Sequence, residues 1–309
     1  MIRCRTLSAL AELTATGAGA SHGTAPIAVR ERRFSAQDGL ILFYREYGHP
    51  ASGRIPLLCL PGLTRNSKDF DALALRYASD RRVVCPDYRG RGRSAYDPDY
   101  RNYTPRTHLS DLLHLLTVAA LGAVVVIGTS AGGLMAMALA VARPACLRGV
   151  VLNDIGPDVA AGGRERIANY VGKAETPRDW AAAATYCRDV WGPARPDGTD
   201  ADWDRIAHQT FVAGDGEVLR LDHDVRVGRA LKESGGAPAD AWRWFGALGH
   251  IPTLAIRGEN SDVLSPATFE RMAEVKPDLM RLTVPRRGHA PDLGEPECLE
   301  AIDDFLSQL

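Results

Sequence analysis

Short apolar runs alternate with stretches of helical spacing along most of this chain, and no other feature limits its fold as strongly. The runs Ile55–Leu60, Arg82–Cys85, Ala123–Gly128, Leu147–Asn153, Pro252–Arg257 and Met280–Val284 are rich in Val, Ile and Leu. Such runs suit strands covered on both faces. Thr104-Pro105 reads as an N-cap and first helical residue. Leu109, Leu112, Leu113 and Leu116 follow it at helical spacing. An Ala-rich helix runs from Ala131 to about Val141, and a last helix turns Cys298, Ile302 and Phe305 inward. Near the start, Val29–Ser35 and Leu40–Tyr47 read as strands joined at Gln37-Asp38-Gly39. Repeated β-then-α units imply an α/β fold, a mostly parallel sheet flanked by helices. In such sheets ligands bind at the carboxyl ends of the strands.

The rhythm breaks over residues 158–245, which read as Ala- and Arg-rich helices and hold all five tryptophans: Trp180, Trp191, Trp203, Trp242 and Trp244. This segment is expected to be a helical cap inserted between two core strands, with residues 26–157 and 246–309 forming the core. Residues 1–25 are expected to be a flexible N-terminal extension. Their arginines and their Ser, Thr and Ala content also suit a targeting leader.

The 309 residues carry a formal net charge of −1, with no long block of Lys or Arg. That argues against nucleic acid as a partner and against a polybasic membrane patch. No run approaches the roughly 20 apolar residues of a membrane span. The six cysteines are scattered without CxxC spacing, so a zinc site is not expected. Cys59 and Cys85 lie in apolar strands as small hydrophobes, which fits a reducing, cytoplasmic compartment.

Gly128-Thr129-Ser130-Ala131-Gly132 matches G-x-S-x-G, and it stands between an apolar strand and a helix. A sharp turn there exposes the serine, and small neighbours keep strand and helix from colliding. A serine hydroxyl needs a base to take its proton. His289, in Gly288-His289 after the last strand, is the candidate. Of the eight histidines it is the only one directly after a late strand: His108 and His114 lie on the Leu-rich helix and are expected to face solvent or helix neighbours, His208 and His223 are in the insertion, and His250 precedes a strand. The base needs a carboxylate to hold its tautomer. Asp262, just past Pro252–Arg257, is the reading adopted here, and Asp154 and Glu259 are its competitors. The order Ser130, Asp262, His289 is the one expected for a serine at such a turn. Candidate oxyanion donors are the N–H groups of Ala131 and of Leu63, after Pro61-Gly62.

Together these segments resemble the α/β-hydrolase superfamily, in its lid-bearing branch, over roughly residues 30–309. Leu60-Pro61-Gly62-Leu63 resembles the oxyanion loop, although Pro61 stands where the family often has His. Residues 87–94 (DYRGRGRS) resemble a D-x-R-G-x-G-x-S loop, usually structural, and Asn153-Asp154-Ile155-Gly156-Pro157 the stretch leading into the cap. Arg257-Gly258-Glu259 with Asp262, and Gly288-His289-Ala290-Pro291, resemble the acid and histidine loops. The resemblance implies a hydrolase without cofactor or metal that forms an acyl-enzyme. A serine nucleophile disfavours the haloalkane dehalogenase and epoxide hydrolase chemistries.

The substrate expected is a small molecule, a carboxylic ester or lactone. The alternative enzyme is a C–C bond hydrolase of ring-fission products, and the alternative outside enzymology is a small-molecule receptor on the same fold. Absence of a charged block in the insertion favours uncharged, apolar or aromatic esters, with Trp191 and Trp244 as candidate pocket residues. The sequence leaves a homodimer open.

Overall fold

The computed structural model describes residues 29–214, 216, 218–233 and 241–309. The expectation for residues 1–25 therefore lies outside the described residues. The chain builds an eight-stranded sheet. Its strands are β1 (Val29–Ser35), β2 (Ile41–Tyr47), β3 (Leu57–Leu60), β4 (Val83–Asp87), β5 (Val124–Thr129), β6 (Leu147–Asn153), β9 (Thr253–Gly258) and β10 (Met280–Val284). The spatial order is β1-β2-β4-β3-β5-β6-β9-β10. β2 pairs antiparallel with both β1 and β4, and the remaining neighbours are parallel.

Side chains alternate across the pleat, so each central strand feeds two cores. Leu58, Leu60, Val126, Val150 and Leu152 face one core. Helices α2 (Pro105–Val118), α3 (Ala131–Ala142), α8 (Ala241–Gly246) and α9 (Pro266–Val275) cover it. Leu57, Cys59, Val83, Cys85, Val125 and Ile127 face the other, under α1 (Asp71–Tyr77) and α10 (Pro296–Ser307). This two-sided burial explains the unbroken apolar runs. The five described cysteines that are free, Cys59 and Cys85 among them, are all buried. Helix α2 begins as its sequence dictates: the Thr104 hydroxyl accepts the Thr107 N–H at 3.2 Å, and Pro105 is the first helical residue.

Between β6 and β9 the chain forms α4 (Ala161–Tyr170), α5 (Trp180–Trp191), α6 (Asp200–Thr210), β7 (Phe211–Ala213), β8 (Leu219–Leu221) and α7 (Val227–Glu233). Ala183, Cys187, Trp203, Ile206, Phe211, Leu219 and Leu221 give this segment a small core of its own. Two features differ from the sequence reading. β7 and β8 form a short antiparallel ribbon, which was too brief to show a period-2 pattern. And α8, within the stretch read as cap, packs on α3 in the main core. Among the described residues no helix is long and apolar enough to cross a membrane.

Candidate active site

Ser130 stands between β5 and α3 with φ 53° and ψ −117°. A non-glycine residue at positive φ is strained, and such strain is tolerated where surrounding structure enforces it. Here the enforcement is visible in the glycines. A Cβ on Gly132 would lie 2.0 Å from the Leu60 carbonyl oxygen, and one on Gly128 would lie 2.5 Å from the Gly132 backbone. Strand and helix meet so closely that only glycine fits at either position. The turn is also tied to the neighbouring strand, because Ser130 N–H donates to the Asn153 carbonyl at 3.0 Å.

His289 lies 2.9 Å from Ser130 Oγ through Nε2 and 2.7 Å from Asp154 Oδ2 through Nδ1. An ionised carboxylate can only accept, so Nδ1 carries the hydrogen and Nε2 is free to accept from the serine. Asp154 follows β6, also at positive φ (53°), and is fully buried. Its carboxylate accepts two further hydrogen bonds, from Gly258 N–H at 2.8 Å and Ser261 Oγ at 2.6 Å. A buried charge needs such saturation.

Asp262, the acid adopted from the sequence, is elsewhere engaged. It forms a bidentate pair with Arg166 of α4, at 2.6 and 2.9 Å. Burial opposes its ionisation, but the Arg166 guanidinium prevails and holds its carboxyl below the ordinary value. Glu259, the other competitor, accepts from Arg286 N–H at 2.8 Å. Asp154 and Asp262 both follow strands at the same sheet edge, and only the lateral position of β6 beside β5 distinguishes them.

The oxyanion candidates lie beside the serine. Ala131 opens α3, so its N–H has no acceptor within the helix. A Cβ built on Gly62 would come within 3.9 Å of Ser130 Cβ. The Gly62 carbonyl accepts Arg65 N–H at 3.1 Å. Because a trans peptide directs its N–H opposite its C=O, this bond turns Leu63 N–H the other way.

A cavity of about 1120 Å³ opens on Ser130 and His289. The inserted segment roofs it with Ile167, Tyr170, Trp191, Arg195 and Ile206. Trp191 lines it, with the Arg65 guanidinium 5.4 Å from its ring. Trp244 does not line it; that residue packs against the main core from α8. Trp203 is buried in the insertion's own core, and Trp180 stacks on His208 at 3.7 Å. The lining also carries charged side chains, each paired. Arg65 pairs with Asp69, Arg287 with Asp197 and Glu295, and Arg195 and Arg205 share Asp202 and Asp292. These residues are spread singly along the sequence, so no charged block announced them.

Sequence reasoning missed two supports of the site. Asn153 Nδ2 donates to Thr129 Oγ1 at 3.1 Å and to the Pro291 carbonyl at 2.9 Å, joining the serine strand to the histidine loop. Ser261 orients Asp154. Nothing local marks either. His108 is likewise buried rather than exposed, with its ring 4.9 Å from that of Tyr88.

Comparison with known proteins agrees with this architecture. Residues 57–297 match the model of the alpha/beta hydrolase family. The chain is 32% identical over 275 residues to a 3-hydroxybutyrate-oligomer hydrolase of Cupriavidus necator, covering 85% of this chain and 92% of that protein. It is 26% identical to a 2-(acetamidomethylene)succinate hydrolase of Mesorhizobium japonicum, over 81% of this chain and 87% of the other. A crystal structure of an alpha/beta hydrolase from Novosphingobium aromaticivorans superposes with a TM-score of 0.86 at 42% identity, covering 91% of this chain and 99% of that one. On its fold, its family match and its relatives, this chain belongs to the alpha/beta hydrolase family.

Proposed function

We propose that the chain is a carboxylic ester hydrolase with Ser130 as nucleophile, His289 as base and Asp154, rather than Asp262, as the acid that orients the histidine. The observation that carries this reading is the unbroken Asp154–His289–Ser130 hydrogen-bond chain ending on a serine at positive φ. Ser130 Oγ attacks the ester carbonyl carbon as its proton passes to His289 Nε2. The carbonyl oxygen becomes an oxyanion held by the N–H groups of Leu63 and Ala131. The C–O bond to the alcohol breaks, and the alcohol oxygen takes the proton from Nε2. Water then attacks the acyl-enzyme, gives its proton to the same nitrogen and releases the acid as Ser130 recovers its hydrogen. Asp154 keeps its charge throughout and stabilises the imidazolium.

The inserted segment acts as a lid that sets substrate choice. A cavity of about 1120 Å³ with one aromatic wall and a rim of paired charges supports an extended ester with internal polar groups. An oligomer of a hydroxy acid, the class named for the Cupriavidus relative, has that character. An uncharged aromatic ester would use the Trp191 wall alone. A fluorophosphonate probe tests the nucleophile: it labels Ser130, and Ser130→Ala loses activity by about 10⁴-fold or more. Near-normal turnover by the alanine variant overturns the reading. A panel of simple esters, lactones, hydroxy-acid oligomers and vinylogous C–C substrates ranks the substrate classes.

A further inference from the structure

Arg91 is among the largest fully buried side chains of the protein, with 1% of its surface exposed. A guanidinium in such a place ordinarily faces a carboxylate, because an unpaired buried charge is costly. Its neighbour Arg89 follows that rule, with Asp111, Asp97 and Asp38 around it. Arg91 does not. Among the described residues no carboxylate lies within ion-pair distance of it, and its hydrogen bonds go to backbone carbonyls. Nε donates to Leu63 at 2.9 Å and Nη1 to Arg89 at 2.7 Å. The Tyr103 ring lies 5.2 Å from its guanidinium carbon. Burial lowers its pKa to about 10, which still leaves it charged at neutral pH.

The acceptor is what gives this charge a meaning. Leu63 supplies one of the oxyanion N–H groups in the reading above. Its two peptide planes are fixed from both sides: Arg65 N–H holds the Gly62 carbonyl, and Arg91 holds the Leu63 carbonyl. Arg91 is itself clamped by the inserted segment. Gly92 N–H donates to the Asp222 carbonyl at 2.8 Å, and Asp224 N–H donates to the Gly90 carbonyl at 2.7 Å, so residues 222–224 grip the chain on either side of Arg91. His223, which pairs with Arg91 in this bridge, is buried and has no partner for either ring nitrogen among the described residues. Burial and the nearby arginines lower its pKa to about 4, so it adds no second charge at neutral pH.

We propose that Arg91 is a positioning residue of the oxyanion hole, locking the Leu63 peptide in place, with the docked 222–224 segment holding it there. The proposal rests on the ester-hydrolase reading. Preorganised donors stabilise charge at the moment it develops, and losing one donor outright lowers kcat about 10²–10³-fold. Loosening a donor is milder.

The test compares Arg91→Met and Arg91→Lys with the unaltered chain on one ester. It reads kcat, KM, the affinity of a trifluoromethyl ketone carrying the same acyl chain, and the affinity of the product acid. The ketone forms a tetrahedral oxyanion on the serine; the product acid does not. Arg91→Met is expected to lower kcat by about 10–100-fold with KM nearly unchanged. Ketone affinity should fall by the same factor as kcat/KM, while product affinity holds. Arg91→Lys, which keeps the charge and one donor, should recover part of both losses. If Arg91→Met does not fold, the same four readings on Arg91→Lys decide, with a smaller loss of kcat and ketone affinity together as the expected result. A fall in kcat without a fall in ketone affinity, equal losses of product and ketone affinity, or unchanged kinetics in the folded variants overturns the proposal. If Ser130→Ala keeps its activity, the ester-hydrolase reading fails instead, so the two failures are told apart.

Discussion

Asp154 and Asp262 are both aspartates just beyond a strand of the same sheet, yet their surroundings give them opposite characters. Asp154 is fully buried with three donors converging on it, one of them His289. Asp262 is 37% exposed at its side chain and neutralised by Arg166. Asp154→Asn keeps the shape but favours the wrong histidine tautomer, a change worth about 10⁴-fold in kcat in the handling of a serine–histidine pair. Asp262→Asn removes only a half-exposed ion pair between core and insertion, and such pairs contribute about 1 kcal/mol or less. We therefore expect kcat to collapse in Asp154→Asn and to stay within about tenfold in Asp262→Asn. Steady-state kinetics on the two folded variants check this; the reverse ranking would return the acid to Asp262.

At the scale of elements, the junction of β5, α3 and β3 is where space is tightest. Gly132→Ala would drive a methyl into the Leu60 backbone, which cannot move without shifting β3. A loss of about 3 kcal/mol or more is expected, with activity lost alongside it. Gly162, in α4, has nothing within 4 Å of an added Cβ. Gly162→Ala should leave stability unchanged or raise it by about 0.5 kcal/mol, since alanine favours helix. Urea unfolding of both variants measures the contrast, and equal effects would contradict it. The tryptophans divide in the same manner. Trp191→Ala should change the ratio of kcat/KM between short and long acyl chains, because that ring lines the cavity. Trp244→Ala should lower the thermal midpoint and leave that ratio alone, because its ring packs on the main core. A substrate ratio moved by Trp244→Ala and untouched by Trp191→Ala would assign the pocket wrongly.

For the whole molecule, two buried histidines make stability depend on pH, His223 where the insertion meets Arg91 and His108 on α2 beside Tyr88. Burial first, and nearby arginines second, hold the proton affinities of His223 and His108 below their ordinary value of 6.5, with the pKa of His223 at about 4. Well above pH 6.5 neither folded nor unfolded chain protonates them, and stability is complete. As pH falls below about 6.5 the unfolded chain takes up protons that the folded chain refuses, so stability drops. For His223 the loss continues until the folded ring protonates near pH 4, and it reaches about 2 kcal/mol by pH 5. Urea midpoints at about pH 7 and 5 should therefore separate in the natural chain and converge in the His108→Gln, His223→Gln double variant. An undiminished pH dependence in that variant would assign the effect to other groups.

Local chemistry made much of this protein legible. The apolar runs marked β3, β4, β5, β6 and β9, because burial on both faces requires a nearly unbroken apolar stretch, and the edge strand β10 was found although only its alternate residues face the core. Thr104-Pro105 marked the start of α2, and Gly128–Gly132 marked the strained serine, because caps and tight turns depend on neighbours in sequence. His289 could be picked out by its place after the last strand. What the sequence could not decide was distance between segments. Asp154 and Asp262 are equivalent by local rules, and the choice between them follows from β6 lying next to β5, which brings Asp154 to the histidine. The pairs Arg287–Asp197 and Arg205–Asp292, the burial of His223 and the grip of residues 222–224 on Arg91 join residues far apart in the chain. Each depends on which surfaces meet once the insertion docks, and a one-dimensional pattern holds no record of that meeting.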